Sequence, residues 1–477
     1  MKKFVYLFAV VLALFAISCD NEDLPQDTLS GEPEGSLNTT KSVTTDSRTW
    51  PTATGTISGE ITTNTTLTDD KVWYIDGPTY VTSGAVLTVE ANTLVKGMSV
   101  PTSGSASYLI ITKGCQLIAD GGGASTSIVF TSDVAAGQRS AGDWGGIVLL
   151  GDATTNQPNT QEIEGIEDAD IPDENHSLVQ YGGSNDSHSA GSLSYVRIEY
   201  AGRDLGGGNE INGLTLGGVG SGTTLDHIQV SFGLDDAFEF FGGTVNAKYL
   251  IAFANRDDDF DFDQGYSGSI QFAVSRKLSL SEQTFTNDPN GIECDNDADN
   301  PLLNPVTRPI LSNISIIGMD NEISAAENLY GNRWRRGTSF VFKNSIIAGY
   351  SDAGVFFDSA ETENNLNGGG AEFSYNLVHS YATKTGDVIL PAAATGYSGY
   401  ANNTVNDTDP NFMDLVSPYS TSNPDFRYRS TTYVIGTDFS GELSAPFFTS
   451  TTYKGAFASR SRWDDNWASY QPNNNTY

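Results

Sequence analysis

The sequence predicts an all-β protein, a right-handed parallel β-helix in which successive coils of the chain stack as a solenoid. The main observation is a repeat: residues 235–243 (DDAFEFFGG) return 22 residues later, from Asp235 to Asp257, as residues 257–265 (DDDFDFDQG). Apolar and polar residues alternate within each copy, which is typical of strands with one buried face. A fixed period of this length indicates coils that bury their apolar faces only by stacking.

Further copies extend the predicted solenoid in both directions. A weaker third copy is NGIECD at residues 290–295, and a fourth is AGVFFD at residues 353–358. Nearer the N-terminus, residues 85–97 are echoed by residues 108–120, and the offset from Leu94 to Leu117 is 23 residues. These offsets predict one coil every 22 or 23 residues, so Phe238, Phe260 and Ile292 should be buried and stacked.

The first residues are typical of a bacterial lipoprotein signal. Lys2 and Lys3 precede an apolar run at residues 4–17 that is too short to span a membrane comfortably, and Cys19 follows. We predict a signal peptide at residues 1–18 and lipidation of Cys19. The acidic run at residues 20–23 resembles a surface-export signal, which places the protein on the outer membrane, lipid-anchored and facing the exterior. The alternative is a plain secretory peptide with an incidental cysteine.

Changes in composition divide the rest of the chain. Residues 19–53 are rich in Ser, Thr, Asp, Glu and Pro and predict a flexible tether. The β-helix is predicted for residues 54–406, interrupted by an acidic loop insertion at residues 154–192. Residues 407–477 lose the period and are predicted to be a cap region, whose aromatic residues should cover the open end of the core.

Charge restricts the possible partners. The 477 residues include 59 acids and 25 bases, giving a net charge of −34, so the phosphate backbone of a nucleic acid would be repelled. A neutral glycan or a metal-bridged partner remains compatible with this charge. His176, His188, His227 and His379 show no spacing typical of a metal site.

The repeat predicts a ladder of carboxylates. If Phe238 and Phe260 point inward, Glu239 and Asp261 point outward, about 4.8 Å apart on neighbouring coils. Two such charges repel by roughly 3.5 kcal/mol at an effective dielectric near 20, so they must be solvated, protonated or bridged by a cation. Several carboxylate ligands favour calcium. The candidate calcium ligands are Glu239, Asp257, Asp258, Asp259, Asp261, Asp263, Glu293 and Asp295. The first outward column holds Glu239, Asp261 and Glu293, and a second outward column is predicted to hold Asp263, Asp295 and Asp358. The alternative is a solvated acidic face.

Four segments together resemble a known family. Residues 142–151 (GDWGGIVLLG), 195–202 (YVRIEYAG), 210–216 (EINGLTL) and 235–246 (DDAFEFFGGTVN) are similar to secreted β-helix lipoproteins found mainly in Bacteroidota. The resemblance covers nearly everything after the tether. It implies the β-helix fold and a cell-surface location, and it implies no particular reaction.

Three functions remain open. The first is a calcium-stabilised surface protein that binds an extracellular glycan or another surface component. The second is a polysaccharide lyase or glycoside hydrolase, in which the acidic ladder acts with a basic partner, Arg276, Lys277 or Arg336. The third is a structural or adhesive element of the surface layer.

Overall fold

The computed structural model describes residues 46–204, 209–286, 288–319, 330–380, 397–406 and 409–477. The predicted signal peptide, Cys19 and most of the predicted tether lie outside the described residues. All described residues belong to one compact unit.

Strands dominate the described chain, and almost all of them join one parallel arrangement of 26 strands. The strands in chain order are β1 (Thr54–Ile61), β2 (Thr65–Leu67), β3 (Val72–Val81), β4 (Val86–Val89), β5 (Leu94–Gly97), β6 (Tyr108–Ile111), β7 (Gln116–Asp120), β8 (Ile128–Ser132), β9 (Gly146–Leu150), β10 (Gly191–Glu199), β11 (Arg203–Asp204), β12 (Glu210–Ile211), β13 (Leu214–Gly217), β14 (Thr224–Ser231), β15 (Phe238–Phe241), β16 (Asn246–Phe253), β17 (Phe260–Asp263), β18 (Ser269–Arg276), β19 (Ile292–Cys294), β20 (Ile310–Ile317), β21 (Tyr330–Arg335), β22 (Val341–Lys343), β23 (Ile346–Tyr350), β24 (Ala353–Asp358), β25 (Glu372–Ser374), β26 (Leu377–Ser380), β27 (Tyr400–Ala401), β28 (Thr404–Asn406), β29 (Leu415–Ser417) and β30 (Asp425–Tyr428). Two short antiparallel pairs, β11 with β12 and β29 with β30, lie outside the parallel arrangement.

Helical structure is sparse. The α-helix α1 (Ala360–Gly368) begins after Ser359, whose side chain accepts a hydrogen bond from the Thr362 amide, and ends at Gly369 in the left-handed conformation. Single 3₁₀ turns lie at Ala124–Thr126, Asp168–Asp170, Pro172–Glu174, His176–Leu178, Pro410–Met413, Gly441–Ser444 and Pro472–Asn474. Within the described residues, no helix has the length and apolar character needed to cross a membrane.

Each full coil contributes three strand segments, so the coils stack into three parallel sheets. Sheet 1 contains β2, β4, β7, the first halves of β10, β14, β16, β18 and β20, and then β22, β25 and β27. Sheet 2 contains the first halves of β1 and β3, then β5, β8, the second halves of β10, β14, β16, β18 and β20, and then β23, β26 and β28. Sheet 3 contains the second halves of β1 and β3, then β6, β9, β13, β15, β17, β19, β21 and β24.

From β10 onward, the corner between sheets 1 and 2 is made by one left-handed residue in each coil. Such a backbone conformation turns the chain sharply inside a long strand, and it is uncommon for residues with a Cβ. The corner residues are Tyr195, His227, Tyr249, Phe272, Asn313, Asn344, Tyr375 and Asn402, with φ between 51° and 61°. Four of them form a stacked ring column, in which His227 lies 4.3 Å from Tyr195 and 4.3 Å from Tyr249.

The core consists of inward side chains stacked along the axis, and the predicted stack is confirmed. Phe238 pairs with Phe260, and Phe260 pairs with Ile292 on the next coil. The rings of Phe238 and Phe260 are 5.3 Å apart and nearly parallel, and all three side chains are buried. The 22-residue offset from Phe238 to Phe260 is therefore one coil, as the sequence predicts. The predicted equivalence of Leu94 and Leu117 is wrong, because Leu117 pairs with Leu87 and Leu94 pairs with Val129.

The C-terminal segment differs from the prediction, because it lies along the side of the helix and not over its open end. We call residues 438–477 the C-terminal strap. Its hydrogen bonds run backward along the coils, from Asp438 with Lys343, through Ser469 with Gln229, to the Tyr477 carbonyl with Lys96. Trp467 packs edge-on against His227 in the stacked ring column. The aromatic residues thus cover the corner between sheets 1 and 2, where the column presents apolar surface.

The predicted tether also ends earlier than expected. The Asp46 carboxylate is buried and pairs with Arg197 at 2.8 Å, and the Asp46 amide donates to Asn475 in the C-terminal strap. Arg48 lies over the Trp50 ring, 4.5 Å from its centroid. Residues 46–53 therefore pack on the folded body, because Asp46 provides a negative charge to the buried Arg197 guanidinium.

Candidate metal site on sheet 3

The predicted acidic column lies on the outer face of sheet 3. Glu239 pairs with Asp261, and Asp261 pairs with Glu293, so three carboxylates lie on three successive coils. The next residue of the column is Arg333. The ladder of acids is therefore limited to three coils and is closed at one end by a cation.

The second predicted column is interrupted. Asp295 follows Cys294, which pairs with Phe262, so Asp295 lies beside Asp263. On the next coil this column continues with Arg335, and only then with Asp358. The predicted column of Asp263, Asp295 and Asp358 thus contains a guanidinium between its last two acids.

A second polar ladder crosses the start of each strand in this part of sheet 3. The Asn212 side chain accepts a hydrogen bond from the Asp236 amide at 3.1 Å, and the Asp236 carboxylate accepts one from the Asp258 amide at 2.8 Å. The Asp258 carboxylate in turn accepts from the Asn290 amide. One oxygen of Asp236 and one of Asp258 therefore hold the next coil in register.

These two ladders bring carboxylate oxygens together in three groups. In each group one oxygen per residue lies within 4.8 Å of the others, a spacing at which a single cation could contact all of them. The groups are Asp235 with Asp236 and Asp257; Asp236 with Glu239 and Asp261; and Asp258 with Asp261 and Glu293. We call the residues of these three groups the acidic cluster.

The acidic cluster is shielded from solvent. Asp236, Glu239, Asp258 and Glu293 are between 5% and 7% exposed. The acidic insertion predicted at residues 154–192 contributes to this cover, since its apolar residues pack against the outer side chains of β9 and β15. The hydroxyl of Tyr181 also donates a hydrogen bond to Gln264, at the end of the acidic face.

Burial raises the pKa of the clustered carboxyls. Desolvation is the largest cause for Glu239, Asp258 and Asp261, and the neighbouring carboxylates raise their pKa further. Glu164 from the insertion belongs to the same electrostatic network, where burial and then Glu210 raise its pKa to about 8. Without a cation, part of this cluster is expected to be protonated near neutral pH.

Three arginines border the cluster on its C-terminal side. Arg333 pairs with Asp358 at 2.6 Å and also contacts Asp288. Arg335 pairs with Asp295 at 2.7 Å and also contacts Glu293. Of the candidate basic partners, Arg336 does lie here, paired with Asp295. The arginines pair with the acids of the last coil, whereas neither Asp236 nor Asp261 has an ion pair among the described residues.

Two buried oxygens in this region have no hydrogen-bond partner among the described residues. One is Oδ1 of Asp261, a member of two of the three groups. The other is Oδ1 of Asn290, whose side-chain nitrogen donates a hydrogen bond of 3.4 Å to Glu293. Unpaired buried oxygens are costly, and a bound cation is one way to satisfy them.

Asp259, a predicted calcium ligand, and Lys277, a predicted basic partner, form an ion pair with each other in the interior. Both side chains are almost fully buried and pair with each other at 3.1 Å. Asp259 also accepts hydrogen bonds from Ser275 and Asn255. Three consecutive acids in a strand-entry loop alternate in direction, so Asp259 points away from the outer face and is neutralised inside.

Arg276, another predicted basic partner, lies on a different sheet from the acidic cluster. It ends β18 on sheet 2, where its guanidinium donates to the carbonyls of Gly318, Pro418 and Tyr419. It therefore holds the segment that precedes the C-terminal strap. Asp257, by contrast, does join the acidic cluster through its group with Asp235 and Asp236.

Sequence reasoning missed Asp235 and Asp236 as candidate ligands. The signal was present, because both residues occupy the positions of Asp257 and Asp258 one repeat earlier. Glu164 could not be found in this way. It lies in the insertion, outside the repeat, and only the folded chain brings it to Glu239.

The geometry thus defines a three-sided parallel β-helix with a buried acidic cluster on one face. A family model described as a pectate-lyase-like β-helix domain matches residues 59–409, and the chain belongs to this family. This membership agrees with the right-handed parallel β-helix that the sequence predicts. Searches of curated proteins and of solved structures gave no match. The lipoprotein character and the link to Bacteroidota remain predictions from the sequence.

Proposed function

We propose that the protein is a lipid-anchored β-helix of the outer membrane, in which calcium on sheet 3 ties successive coils together and whose body binds an extracellular glycan or surface component. The observation that carries the calcium part is the group of Asp258, Asp261 and Glu293, whose oxygens converge from two successive coils in a buried setting. A cation shared by two coils stabilises their contact directly.

The donor set favours calcium over other metals. The cluster offers carboxylate oxygens, with an amide oxygen of Asn290 nearby, and calcium takes six to eight oxygen ligands with tolerant geometry. A zinc site would need His or Cys ligands. The neighbouring Cys294 is buried among inward side chains and lies beside the Thr338 hydroxyl, so it does not face the cluster.

Burial favours a stabilising cation over a catalytic one. Glu239 and Asp258 are 6% and 5% exposed, so a polysaccharide chain has little access to their oxygens. A catalytic metal instead needs an open coordination position for substrate. The cluster therefore supports a calcium ion that acts on stability.

Thermal unfolding in calcium and in chelator tests this proposal. Calcium should raise the melting temperature of the wild type. At a hundredfold excess of calcium over its dissociation constant, the unfolding free energy should increase by about 2.7 kcal/mol. The variant Asp261→Asn should lose most of this gain, and in chelator it should melt at the same temperature as the wild type or higher, because charge repulsion is relieved.

The matched control is Asp69→Asn, which makes the same change at an exposed acid far from sheet 3. It should keep the full calcium effect. Identical melting of the wild type in both buffers would contradict the calcium site. A calcium gain that survives in Asp261→Asn would place the ion elsewhere.

A polysaccharide lyase is the second candidate, because the chain belongs to a pectate-lyase-like family and Arg336 is 42% exposed beside Asp295. The test is an assay on acidic and neutral polysaccharides, with and without calcium, that follows unsaturated products and new reducing ends. We expect no turnover. Calcium-dependent turnover that Arg336→Gln abolishes would support the lyase.

A further inference from the structure

A separate cavity of about 400 Å³ lies at the corner between sheets 2 and 3. Its walls come from six parts of the chain that are distant in sequence. Tyr200 and Phe232 are corner residues of two successive coils, Arg256 follows the corner of the third coil, and Leu280 belongs to the loop after β18. Arg139, before β9, closes the remaining side. The cavity is thus built by the tertiary fold.

One wall of the cavity is an aromatic column that stops abruptly. The rings of Tyr200 and Phe232 are stacked, with centroids 5.5 Å apart and an interplanar angle of 22°. The equivalent corner on the next coil is Ala254, with the same left-handed conformation. An alanine replaces the third ring of the column. The ring of Phe253, on the same coil as Ala254, packs edge-on with Phe232 at 5.8 Å between centroids, and Phe232 remains half-buried. This leaves a surface on which a ring-shaped ligand could stack.

Arg256 supplies an unpaired positive charge in the cavity. Its side chain is half-buried and has no ion pair or side-chain hydrogen bond with the described residues. Arg203 and Arg308, in contrast, each pair with a carboxylate. Partly burying a guanidinium that has no partner is energetically unfavourable. The protein has many acids that could have paired with it.

The lining contains a second guanidinium, that of Arg139, whose charge also acts on the carboxyls of Glu199 and Asp143. Arg139 is 5% exposed and is fixed by hydrogen bonds to the carbonyls of Val134, Pro472 and Asn475. The hydroxyl of Tyr200 is buried and has no hydrogen-bond partner among the described residues. The acid of the lining, Glu282, lies on the exposed rim, where it accepts a hydrogen bond from Ser279. Two guanidiniums in one concave site favour an anionic ligand.

We propose that this cavity binds a carboxylate-bearing ring of about the size of one sugar residue, with the carboxylate on Arg256 and the ring against Phe232. The guanidinium fork matches a carboxylate, and the exposed part of the half-buried Phe232 ring favours a cyclic ligand. This proposal rests on the proposed function for its extracellular ligand and gives that ligand a place and a charge. It does not involve the acidic cluster.

Isothermal titration of the full chain in calcium buffer tests the proposal, with D-glucuronate as the probe and D-glucose as the neutral analogue. We expect glucuronate to bind and glucose to bind at least about tenfold more weakly. The variant Arg256→Gln should weaken glucuronate binding by about tenfold or more, which is the usual effect of losing a charge-assisted hydrogen-bonded pair. Its melting temperature should be unchanged, because Arg256 has no protein partner to lose.

The matched control is Arg460→Gln, which removes the charge of an exposed arginine outside the cavity and should leave binding intact. Benzoate is a second probe. If benzoate binds and glucuronate does not, the carboxylate site stands and its ligands are flat aromatic acids. Failure of both acids to bind, equal binding of glucuronate and glucose, or equal losses in the two arginine variants would overturn the proposal. Calcium-dependent melting is measured on the same protein, so failure here leaves the calcium site separately testable.

Discussion

Neighbouring aspartates in this protein have opposite surroundings. Asp258 faces the outer side of sheet 3 and shares its environment with Asp261 and Glu293, whereas Asp259 is neutralised inside by Lys277. The sequence shows only three consecutive acids at residues 257–259. Their roles differ because the chain enters a strand there and successive side chains point in different directions.

The Lys277–Asp259 pair should be structural. Replacing Lys277 with Met leaves an uncompensated buried carboxylate, which costs about 3–5 kcal/mol of unfolding free energy. Urea unfolding should show this loss equally in calcium and in chelator. Lys71→Met is the control, since Lys71 only lies over the Trp73 ring at the surface, and it should change stability by no more than about 0.5 kcal/mol. Unchanged stability of Lys277→Met would restore Lys277 as a candidate functional base.

The acidic cluster predicts how stability varies with pH. Burial and mutual repulsion raise the folded-state pKa of these carboxyls, so the folded state holds more protons than the unfolded state above pH 4.5. In chelator, stability should therefore fall as pH rises from 4.5 to about 8, the value to which burial raises the pKa of Glu164. Calcium should flatten this dependence, because it stabilises the ionised form. Melting temperatures across this range in both buffers provide the measurement, and a rise with pH in chelator would contradict the prediction.

At the scale of elements, the C-terminal strap completes the corner between sheets 1 and 2. The rings of His227, Tyr195 and Tyr249 form a stack whose outer edges would otherwise face water. Trp463 and Trp467 pack edge-on against this stack, and Gln229 holds the strap by two hydrogen bonds to Ser469. The strap therefore shields the outer edges of these rings from water along the side of the helix.

Removing one ring of the strap should weaken the whole fold. Trp467 is 1% exposed, and Trp467→Ala should cost about 3–5 kcal/mol, the usual range for deleting a buried tryptophan. Chemical denaturation followed by circular dichroism measures the loss. Tyr433→Ala removes a ring that is 44% exposed and should have little effect. A similar, small effect of both variants would mean that the strap contributes little to stability.

The repeat made much of sheet 3 predictable, and little of what surrounds it. Phe238, Phe260 and Ile292 could be placed because one side chain per period occupies the same inner position. The strap has no period, and its partners are distant in sequence, for example 95 residues for Lys343 and Asp438 and 240 residues for Gln229 and Ser469. Within the site, a repeat predicts which carboxylates share a column. It does not predict that Arg333 and Arg335 neutralise one end, because that depends on coils with weaker similarity.

At the scale of the whole molecule, the predicted lipid anchor at Cys19 determines where the folded protein is located. Cys19→Ala should move the protein from the membrane fraction to the soluble fraction, because the predicted lipid would no longer be attached. Cys115→Ala is the control: Cys115 is a buried core residue, so this variant should stay with the membrane. Membrane association of Cys19→Ala, together with no incorporation of labelled fatty acid into the wild type, would contradict the lipoprotein assignment.

The path of the C-terminal strap along the helix affects how the molecule unfolds. A stack of coils alone is nearly one-dimensional, so it can fray from either end, one coil at a time. Here one continuous segment is bonded to Lys343 near one end and to Lys96 near the other, so loss of the last coils also loosens contacts made by the first. The helix should therefore unfold as a single cooperative unit, and native-state hydrogen exchange should give similar opening free energies for amides at its two ends.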